Sequence, residues 1–197
     1  MEKIPFKELE TNRLCLRRHE VTFDYATLLF QKIKKDWDHI KVWLPKMWLV
    51  KAPEDEYTFL ANARTEWENH EKANYAIVEK GTNEIVGTVG FFDVSWTDAH
   101  AEIGYFLFSP FTKKGYVTEA VQAIQTWAFE QGFNRLQIRM DTGNAASENV
   151  AKRLGYVKEG DTREEHYSPH FNAFRDIRTY ALLKREWKNK DDEKKTI

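Results

Sequence analysis

The sequence contains one cysteine, Cys15, in 197 residues. A single thiol excludes an intrachain disulfide and a cysteine-based zinc site, and it is typical of proteins in a reducing compartment. We expect Cys15 to pack in a strand, the protein to be cytoplasmic, and its chemistry to require no metal.

Long apolar runs and an excess of one charge are also missing. Charged residues or glycine interrupt each hydrophobic stretch before it reaches bilayer length, and residues 1–5 lack the apolar core of a signal peptide. The 30 basic and 31 acidic residues are mixed along the chain and give a formal net charge of -1. We therefore expect neither a membrane nor a nucleic acid as a partner.

What the sequence does contain is typical of a folded protein. Hydrophobic residues make up 42% of the chain and aromatic residues 14%, which is too rich for a disordered segment. We predict a single domain over residues 1–188. The charge-rich residues 189–197 are expected to form a solvated tail.

The first half of the chain predicts a strand and two helices. Leu14 to Arg18 reads as a short strand, Thr22 as the cap of a helix, and Pro53 as the start of another helix. Residues 37–48 contain three tryptophans without a clear period. Most of these rings are expected in the core, although they would also suit a wall around an amine.

The second half predicts a hairpin, a crossover and two final strands. Runs 75–78 and 85–89 flank a turn-forming Gly81-Thr82-Asn83, and strand 101–108 leads through helix 115–131 into strand 136–140. Segments 156–159 and 175–183 are the last strands. Together these elements predict a mixed α/β fold, with a mostly antiparallel sheet flanked by helices.

One loop has the character of an anion site. Lys113-Lys114-Gly115 directly precedes a helix, so unpaired N–H groups, the helix dipole and two cations would meet a pyrophosphate there. A plain loop with solvated lysines is the commoner meaning of such a segment. The loop alone therefore does not identify a ligand.

Several motifs together resemble the GNAT superfamily of acetyltransferases, in its RimJ/RimL-like branch. The resemblance is carried by Glu102-Ile103-Gly104-Tyr105, by residues 115–120, by Asn144-Ala145-Ala146-Ser147 and by Leu154-Gly155-Tyr156. The opening residues 9–14 are similar too. The resemblance covers most of the chain and is loose only between residues 37 and 69.

The resemblance implies the GNAT acyltransferase fold and a site for acetyl-CoA. The central strand would offer backbone groups to the pantetheine arm, and the loop and first helical turn would hold the phosphates. The implied cofactor-binding residues are Phe106, Leu107, Phe108, Lys113, Lys114, Gly115, Tyr116, Val117, Thr118, Asn144 and Ser147.

The phosphate loop departs from the family pattern at two positions. Thr112 stands where the family has Gln or Arg, and Val117 stands at the last small position. Backbone N–H groups make the main contacts in such loops, and Lys113 and Lys114 supply positive charge. We predict weaker cofactor binding, not its loss.

Ser147 and Asn144 each have two possible roles. The resemblance places the Ser147 hydroxyl near the coenzyme sulfur, where it would hydrogen-bond or protonate the leaving thiolate. It places the Asn144 amide beside the pantetheine arm. Alternatively, Asn144 caps a helix and Ser147 only satisfies its first turn.

Two residues compete as the general base. The resemblance brings His166 to the position of the family's proposed carboxylate, directly after Glu164 and Glu165, and histidine suits proton transfer near neutral pH. The same cluster would also fit a solvated strand edge. Glu102 is the second candidate, although it would equally pair with Arg139.

The implied reaction is direct transfer of the acetyl group from acetyl-CoA to a primary amine, in a ternary complex. The acceptor would be a protein N-terminus, such as that of a ribosomal protein, or a small amine, and the protein a monomer or a homodimer. A coenzyme A-binding sensor without turnover is the rival function.

Overall fold

The computed structural model describes residues 1–187. An eight-stranded sheet, in the order β1-β2-β3-β4-β5-β6-β8-β7, forms its centre. The predicted tail 189–197 lies outside the described residues, and the single domain stays a prediction. The strands are β1 (Leu9–Glu10), β2 (Leu14–Arg18), β3 (Ala73–Glu79), β4 (Glu84–Ser95), β5 (His100–Leu107), β6 (Arg135–Asp141), β7 (Val157–Ser168) and β8 (Ala173–Leu183).

The pairing of the strands confirms a mixed, mostly antiparallel sheet. Only β5 and β6 pair in parallel within the described chain, and the helix between them makes the crossover that a parallel pair requires. The predicted hairpin is β3–β4, with Asn83 at φ 56° in its turn. β7 forms an outer edge, paired with β8.

Five α-helices flank the sheet in the part of the chain that the structure describes. Thr22 caps the first helix as predicted, by accepting a hydrogen bond from the Tyr25 N–H. Residues 37–48, predicted to be irregular, instead contain a short helix that follows the first one directly at Asp36, before a 3₁₀ turn begins at Pro45. The helices are α1 (Phe23–Lys35), α2 (Trp37–Trp43), α3 (Pro53–Glu68), α4 (Tyr116–Glu130) and α5 (Ala145–Arg153).

Each face of the sheet carries its own hydrophobic core. One face packs against α4 and α5 through residues such as Ile103 and Ile138. The other face packs against α1, α2 and α3 through residues such as Ala76 and Val78. Cys15 is buried in this second core, in a strand as predicted. Side chains alternate between the two faces along each strand.

The central strands separate at their carboxyl ends. β5 and β6 pair over His100–Glu102 and Arg135–Gln137. β5 then continues beside β4 to Leu107, whereas β6 continues beside β8 to Asp141. The strands therefore diverge after Glu102, and α4 begins at the open end of this cleft.

Among residues 1–187, none of the helices combines the length and the apolar content needed to cross a bilayer.

Candidate active site

The N-terminus of α4 is open to solvent. Gly115 precedes the helix at φ 81°, and Lys113 also has a positive φ, 62°, so the loop turns sharply into the first turn. Within the described chain, no side chain caps this helix. Lys113, Lys114 and Gly115 are exposed. The arrangement is that of an anion site with free N–H donors and nearby cations.

Arg13, near the N-terminus of the chain, holds this loop in place. Its Nη1 donates to the Lys114 carbonyl at 3.0 Å, and its guanidinium lies 4.7 Å from the centre of the Tyr116 ring. Its Nε also donates to Glu119 in the first turn of α4, at 2.7 Å. Glu119 in turn accepts hydrogen bonds from the Thr11 hydroxyl and the Arg13 N–H, at 2.6 and 3.0 Å. The opening segment therefore supports the loop.

The side chains at the two departures from the family pattern, Thr112 and Val117, are engaged elsewhere and leave the backbone N–H groups of the loop uncovered. The Thr112 hydroxyl turns back to the Ser109 carbonyl at 2.9 Å. Val117 is partly buried and packs against the core beneath α4. Ser109 is itself held by Asp36, which accepts its N–H at 2.6 Å and links the loop to the start of α2.

The predicted pantetheine strand uses some of its groups for other contacts. Phe106 and Leu107 pair with Thr88 and Gly87 of β4, and their strand faces the cleft on its other side. The Phe108 N–H donates to the Val86 carbonyl at 3.0 Å, and its side chain is buried in the core near α1. Phe106 and Leu107 are therefore better placed than Phe108 to offer free backbone groups.

Tyr105 and Ser147 form a hydroxyl pair on the α4–α5 side of the cleft. The two oxygens lie 2.9 Å apart, and the Tyr105 hydroxyl is also 3.3 Å from the Ser147 carbonyl oxygen. Burial raises the pKa of Tyr105 to about 12, opposed by the Ser147 hydrogen bond. Asn144 caps α5 by accepting the Ser147 N–H at 3.1 Å. The cap role of Asn144 is thus present, while the Ser147 hydroxyl is engaged by Tyr105.

Glu102 lies on the opposite face, at the point where the strands diverge. Its carboxylate accepts a hydrogen bond from Gln137 Nε2 at 3.4 Å and lies 3.8 Å from Arg139 Nη1. Burial raises its pKa, whereas Arg139 and Gln137 lower it and Asp93 and Glu165 raise it further. The predicted contact with Arg139 is present. The Glu102 carboxylate is not fully engaged by this contact, because Arg139 also pairs with Glu165.

A large bulge in β7 brings Glu165 close to Glu102 and Arg139. Thr162 pairs with Ile177 and His166 with Arg175, so three residues of β7 lie opposite one residue of β8. Glu164 takes a positive φ of 50° and donates its N–H to Asp176 at 2.8 Å. Such a bulge bends its strand and re-aims side chains, and bulges are common beside active sites.

His166 lies with a different group of residues. Asp141 binds Arg175 through two hydrogen bonds of 2.8 and 2.9 Å and accepts the Gly143 N–H at 2.7 Å. Burial disfavours the charged form of Asp141, yet its pKa is lowered by Arg175 and the Gly143 N–H, with a further contribution from His166. His166 Nδ1 is buried without a hydrogen-bond partner in the described chain. His166 therefore belongs to the edge strand beside Asp141, and the structure pairs it with neither Ser147 nor Glu102 among the described residues.

Among the three tryptophans of residues 37–48, Trp43 is the one with a contact near Arg175 and Asp141. Trp43 lies 5.8 Å from Phe171, ring centre to ring centre, and the Arg175 guanidinium lies 4.5 Å from the same Phe171 ring. Trp37 and Trp48 pack edge to face against each other at 5.4 Å. All three rings are partly exposed, so the prediction that most of them are core residues holds only in part.

The sequence does not predict three of the residues that contribute to this site. It marks Tyr105 only as part of a motif and Arg13 only as part of the similar opening segment. It indicates Arg139 as an ion-pair partner of Glu102 but not as a bridge between two carboxylates. Each acts through a contact between distant parts of the chain, which residue spacing does not reveal.

A cavity of about 500 Å³ lies elsewhere, between α1 and strands β2 to β4. Arg17, Tyr25, Lys32 and Ile85 are among its lining residues. The cleft between β5 and β6 has the more specific chemistry, because polar groups converge on it from both faces of the sheet. In residues 1–187, no group of three or more His, Cys, Asp or Glu side chains is arranged to hold a metal ion.

Comparison with known proteins agrees with this geometry. Residues 13–157 match the family model described as an acetyltransferase (GNAT) domain. YdaF of Bacillus subtilis (strain 168), provisionally named a ribosomal N-acetyltransferase, is 35% identical over 104 residues, which are 52% of this chain and 56% of YdaF. The chain thus spans little more than half the length of this relative.

Two further similarities extend over more of the chain. The ribosomal-protein-serine acetyltransferase of Escherichia coli (strain K12) is 27% identical over 174 residues, 85% of this chain and 92% of that protein. A solved structure of RimL, a ribosomal L7/L12 alpha-N-protein acetyltransferase in complex with coenzyme A, matches with a TM-score of 0.83 at 22% identity. It covers 90% of this chain and 98% of that one, and shows the shared fold. Because the family model covers most of the sequence, this chain belongs to the GNAT acetyltransferase family.

Proposed function

We propose that this protein is an N-acetyltransferase that moves the acetyl group of acetyl-CoA directly to a primary amine. The observation that carries the proposal is the cleft between β5 and β6. It opens beside the free N-terminus of α4, with the Tyr105–Ser147 pair on one face and Glu102 on the other. Glu102 and Tyr105 are three positions apart on β5, so their side chains lie on opposite faces.

The residues at the mouth of the cleft suit a pyrophosphate. The N–H groups of residues 115–118 would bind its oxygens, and Lys113 and Lys114 would add charge. The exposed loop and the two positive φ values leave the backbone accessible to a ligand. Phe106 and Leu107 would offer strand-like hydrogen bonds to the pantetheine arm, and the Asn144 amide has an N–H₂ group left after its cap contact.

Proton transfer is divided between the two faces of the sheet. Glu102 accepts a proton from the acceptor amine, directly or through water, and the amine nitrogen attacks the thioester carbonyl. As the carbon–sulfur bond breaks, the Ser147 hydroxyl hydrogen-bonds the leaving sulfur, and Tyr105 holds that hydroxyl in place. An N–H of β5 facing the carbonyl would stabilise its developing negative charge.

Glu102 is the better placed of the two candidate bases. It lies at the divergence point, and burial favours its protonated form, which raises its affinity for a proton. His166 is the second candidate because its Nδ1 is buried near Asp141 and has no hydrogen-bond partner among residues 1–187. A pH–rate profile of Glu102→Gln and His166→Ala separates them, since loss of the true base removes the acid limb.

The acceptor we propose is a protein N-terminus. The E. coli relative is named for acetylation of a ribosomal-protein serine, and the RimL structure is of a ribosomal L7/L12 alpha-N-protein acetyltransferase. A ribosomal-protein acceptor would place this chain in the cytoplasm. Small amines form the alternative acceptor class.

The test is release of free thiol from acetyl-CoA with a panel of N-terminal peptides and small amines. Calorimetric titration with coenzyme A runs beside it, and an N-terminally acetylated peptide serves as the control without a nucleophile. We expect thiol release with at least one free peptide amine. Cofactor binding without thiol release from any acceptor would contradict the proposal and favour a coenzyme A sensor.

A further inference from the structure

Arg139 is shared between two carboxylates on the acceptor side of the cleft. Its Nη2 is in close contact with Glu165 Oε1, whereas its Nη1 is 3.8 Å from Glu102 Oε2. The contact with Glu165 is the tighter one, and the distance to Glu102 exceeds that of a hydrogen bond. Arg139 is thus drawn towards Glu165.

The charged groups facing Glu102 come from three strands. Arg139 and the polar Gln137 face it from β6, Asp93 from β4 and Glu165 from β7. The carboxylate is 24% exposed, so these charges are only partly screened by water. Besides burial, which raises the pKa of Glu102, one cation and two other carboxylates therefore affect how readily it holds a proton.

The position of Glu165 depends on the bulge in β7. β7 and β6 are separated by β8, so the contact between Glu165 and Arg139 has to reach across one strand. The three residues opposite Asp176 allow Glu165 to reach across to Arg139. The backbone is fixed there by the Glu164 N–H bond to Asp176.

We propose that Glu165 is a positioning residue that holds Arg139 partly away from Glu102, and thereby sets the proton affinity of Glu102. If Arg139 paired fully with Glu102, the carboxylate would be stabilised in its charged form and would be a weak base. The catalytic consequence rests on the proposed function, whereas the charge relationship does not.

The first test is direct titration of Glu102, which requires no activity. ¹³C NMR of protein labelled at glutamate carboxyl groups follows the resonance that Glu102→Gln removes. Glu165→Gln should lower the pKa of Glu102 by about one unit, because it removes a negative charge and releases Arg139. Arg139→Gln should raise it, and Arg139→Lys should restore most of the wild-type value.

A matched control is available on the same strands. Arg135 of β6 binds Glu159 of β7 across β8, at 2.5 and 2.6 Å. Glu159→Gln makes the same change of charge in the same kind of ion pair, but Glu159 is not among the charges facing Glu102. Its effect on the Glu102 titration should be small. Glu165→Ala, which removes the contact entirely, is the second variant and should shift the pKa in the same direction as Glu165→Gln.

The kinetic test uses the pH dependence of kcat with one peptide acceptor. The acid limb should move to lower pH in Glu165→Gln and to higher pH in Arg139→Gln. In a Glu102→Gln background, where this limb is absent, Glu165→Gln should leave the pH profile unchanged. An unchanged Glu102 titration in Glu165→Gln would overturn the inference, whatever Arg139→Gln does. If the Glu102 titration shifts but no acceptor gives thiol release, the inference about Glu165 stands and only the proposed function is contradicted.

Discussion

The Tyr105 hydroxyl lies 2.9 Å from Ser147 Oγ and joins the central strand β5 to the first turn of α5. The contact spans 42 positions of sequence. Because Tyr105 is held by the sheet, it restricts the rotation of a serine hydroxyl that would otherwise turn freely. The direction in which Ser147 can donate is therefore set by a residue outside its own helix.

Tyr105→Phe should lower kcat by about fivefold, because one hydrogen bond contributes about 1 kcal/mol and its loss frees the Ser147 hydroxyl. Ser147→Ala should lower kcat by at least as much. The double variant should resemble Ser147→Ala, since the two side chains act as one unit. Steady-state kinetics and calorimetric titration of coenzyme A should show reduced kcat with nearly unchanged cofactor affinity.

Tyr25→Phe is the matched control for this experiment. It also removes a tyrosine hydroxyl that makes one side-chain hydrogen bond, to His19 Nδ1 at 3.0 Å, but in α1. Its kcat should match the wild type. A full-rate Tyr105→Phe enzyme would remove Tyr105 from the mechanism.

Gly115→Ala should weaken cofactor binding more than its effect on stability explains. At φ 81° an alanine is strained by about 1 kcal/mol, and its Cβ would lie 3.4 Å from Arg13 Nη2. Gly155→Ala carries the same backbone strain at φ 85° with nothing within 4 Å of the new Cβ. We expect similar losses of Tm for both, and a raised Kd for coenzyme A only in Gly115→Ala. Equal affinities would argue against the loop as the phosphate site.

Glu119→Gln should destabilise the protein by about 1–2 kcal/mol, since it disturbs the hydrogen bonds from Thr11 and Arg13 to a partly buried carboxylate. Burial opposes ionisation of Glu119, but these donors lower its pKa overall. The stabilisation is therefore complete above the pKa of the unfolded chain and is lost as the pH falls through the lower folded value. Urea unfolding from pH 3 to pH 7 should show a smaller pH dependence in Glu119→Gln than in the wild type.

Glu56 should produce the opposite pH dependence. It is buried in α3, and burial raises its pKa to about 7. The folded protein then holds this proton more tightly than the unfolded chain, so the free energy of unfolding decreases as the pH rises from about 5 to 8. The decrease is on the order of 2–3 kcal/mol. In Glu56→Gln, thermal unfolding should lose this slope, and Tm at pH 8 should exceed that of the wild type.

Local signals in the sequence were sufficient to predict most of the fold. Thr22 has the side chain that caps a helix, Gly81-Thr82-Asn83 has the residues of a tight turn, and residues 101–108 predict the strand that forms β5. Helix α2 was missed because it has only seven residues, too few for a hydrophobic period to show.

The site was harder to predict because its contacts are distant in sequence. The spacing of residues identified the loop before α4 and the cap at Asn144. The contact between Glu165 and Arg139 lies at a bulge in β7. The three residues in that bulge, 163–165, contain no turn motif that would reveal it in the sequence. The sequence also does not distinguish His166 from Glu102 as the base. The register of β7 places His166 beside Asp141 and Glu165 beside Arg139, and this register is visible only in the structure.

The parting of β5 and β6 after Glu102 gives this sheet an edge in its interior. Free strand edges normally invite other chains to add to them, and proteins protect them with charge, proline or short length. Here the layer of α4 and α5 covers one side of the edge, whereas Glu102 and Arg139 stay partly exposed on the other side. The edge itself offers backbone hydrogen bonds in one direction, so a single extended chain is the shape that fits it. The same hydrogen bonding that makes outer edges prone to aggregation becomes, inside the fold, a filter on the shape of what can bind.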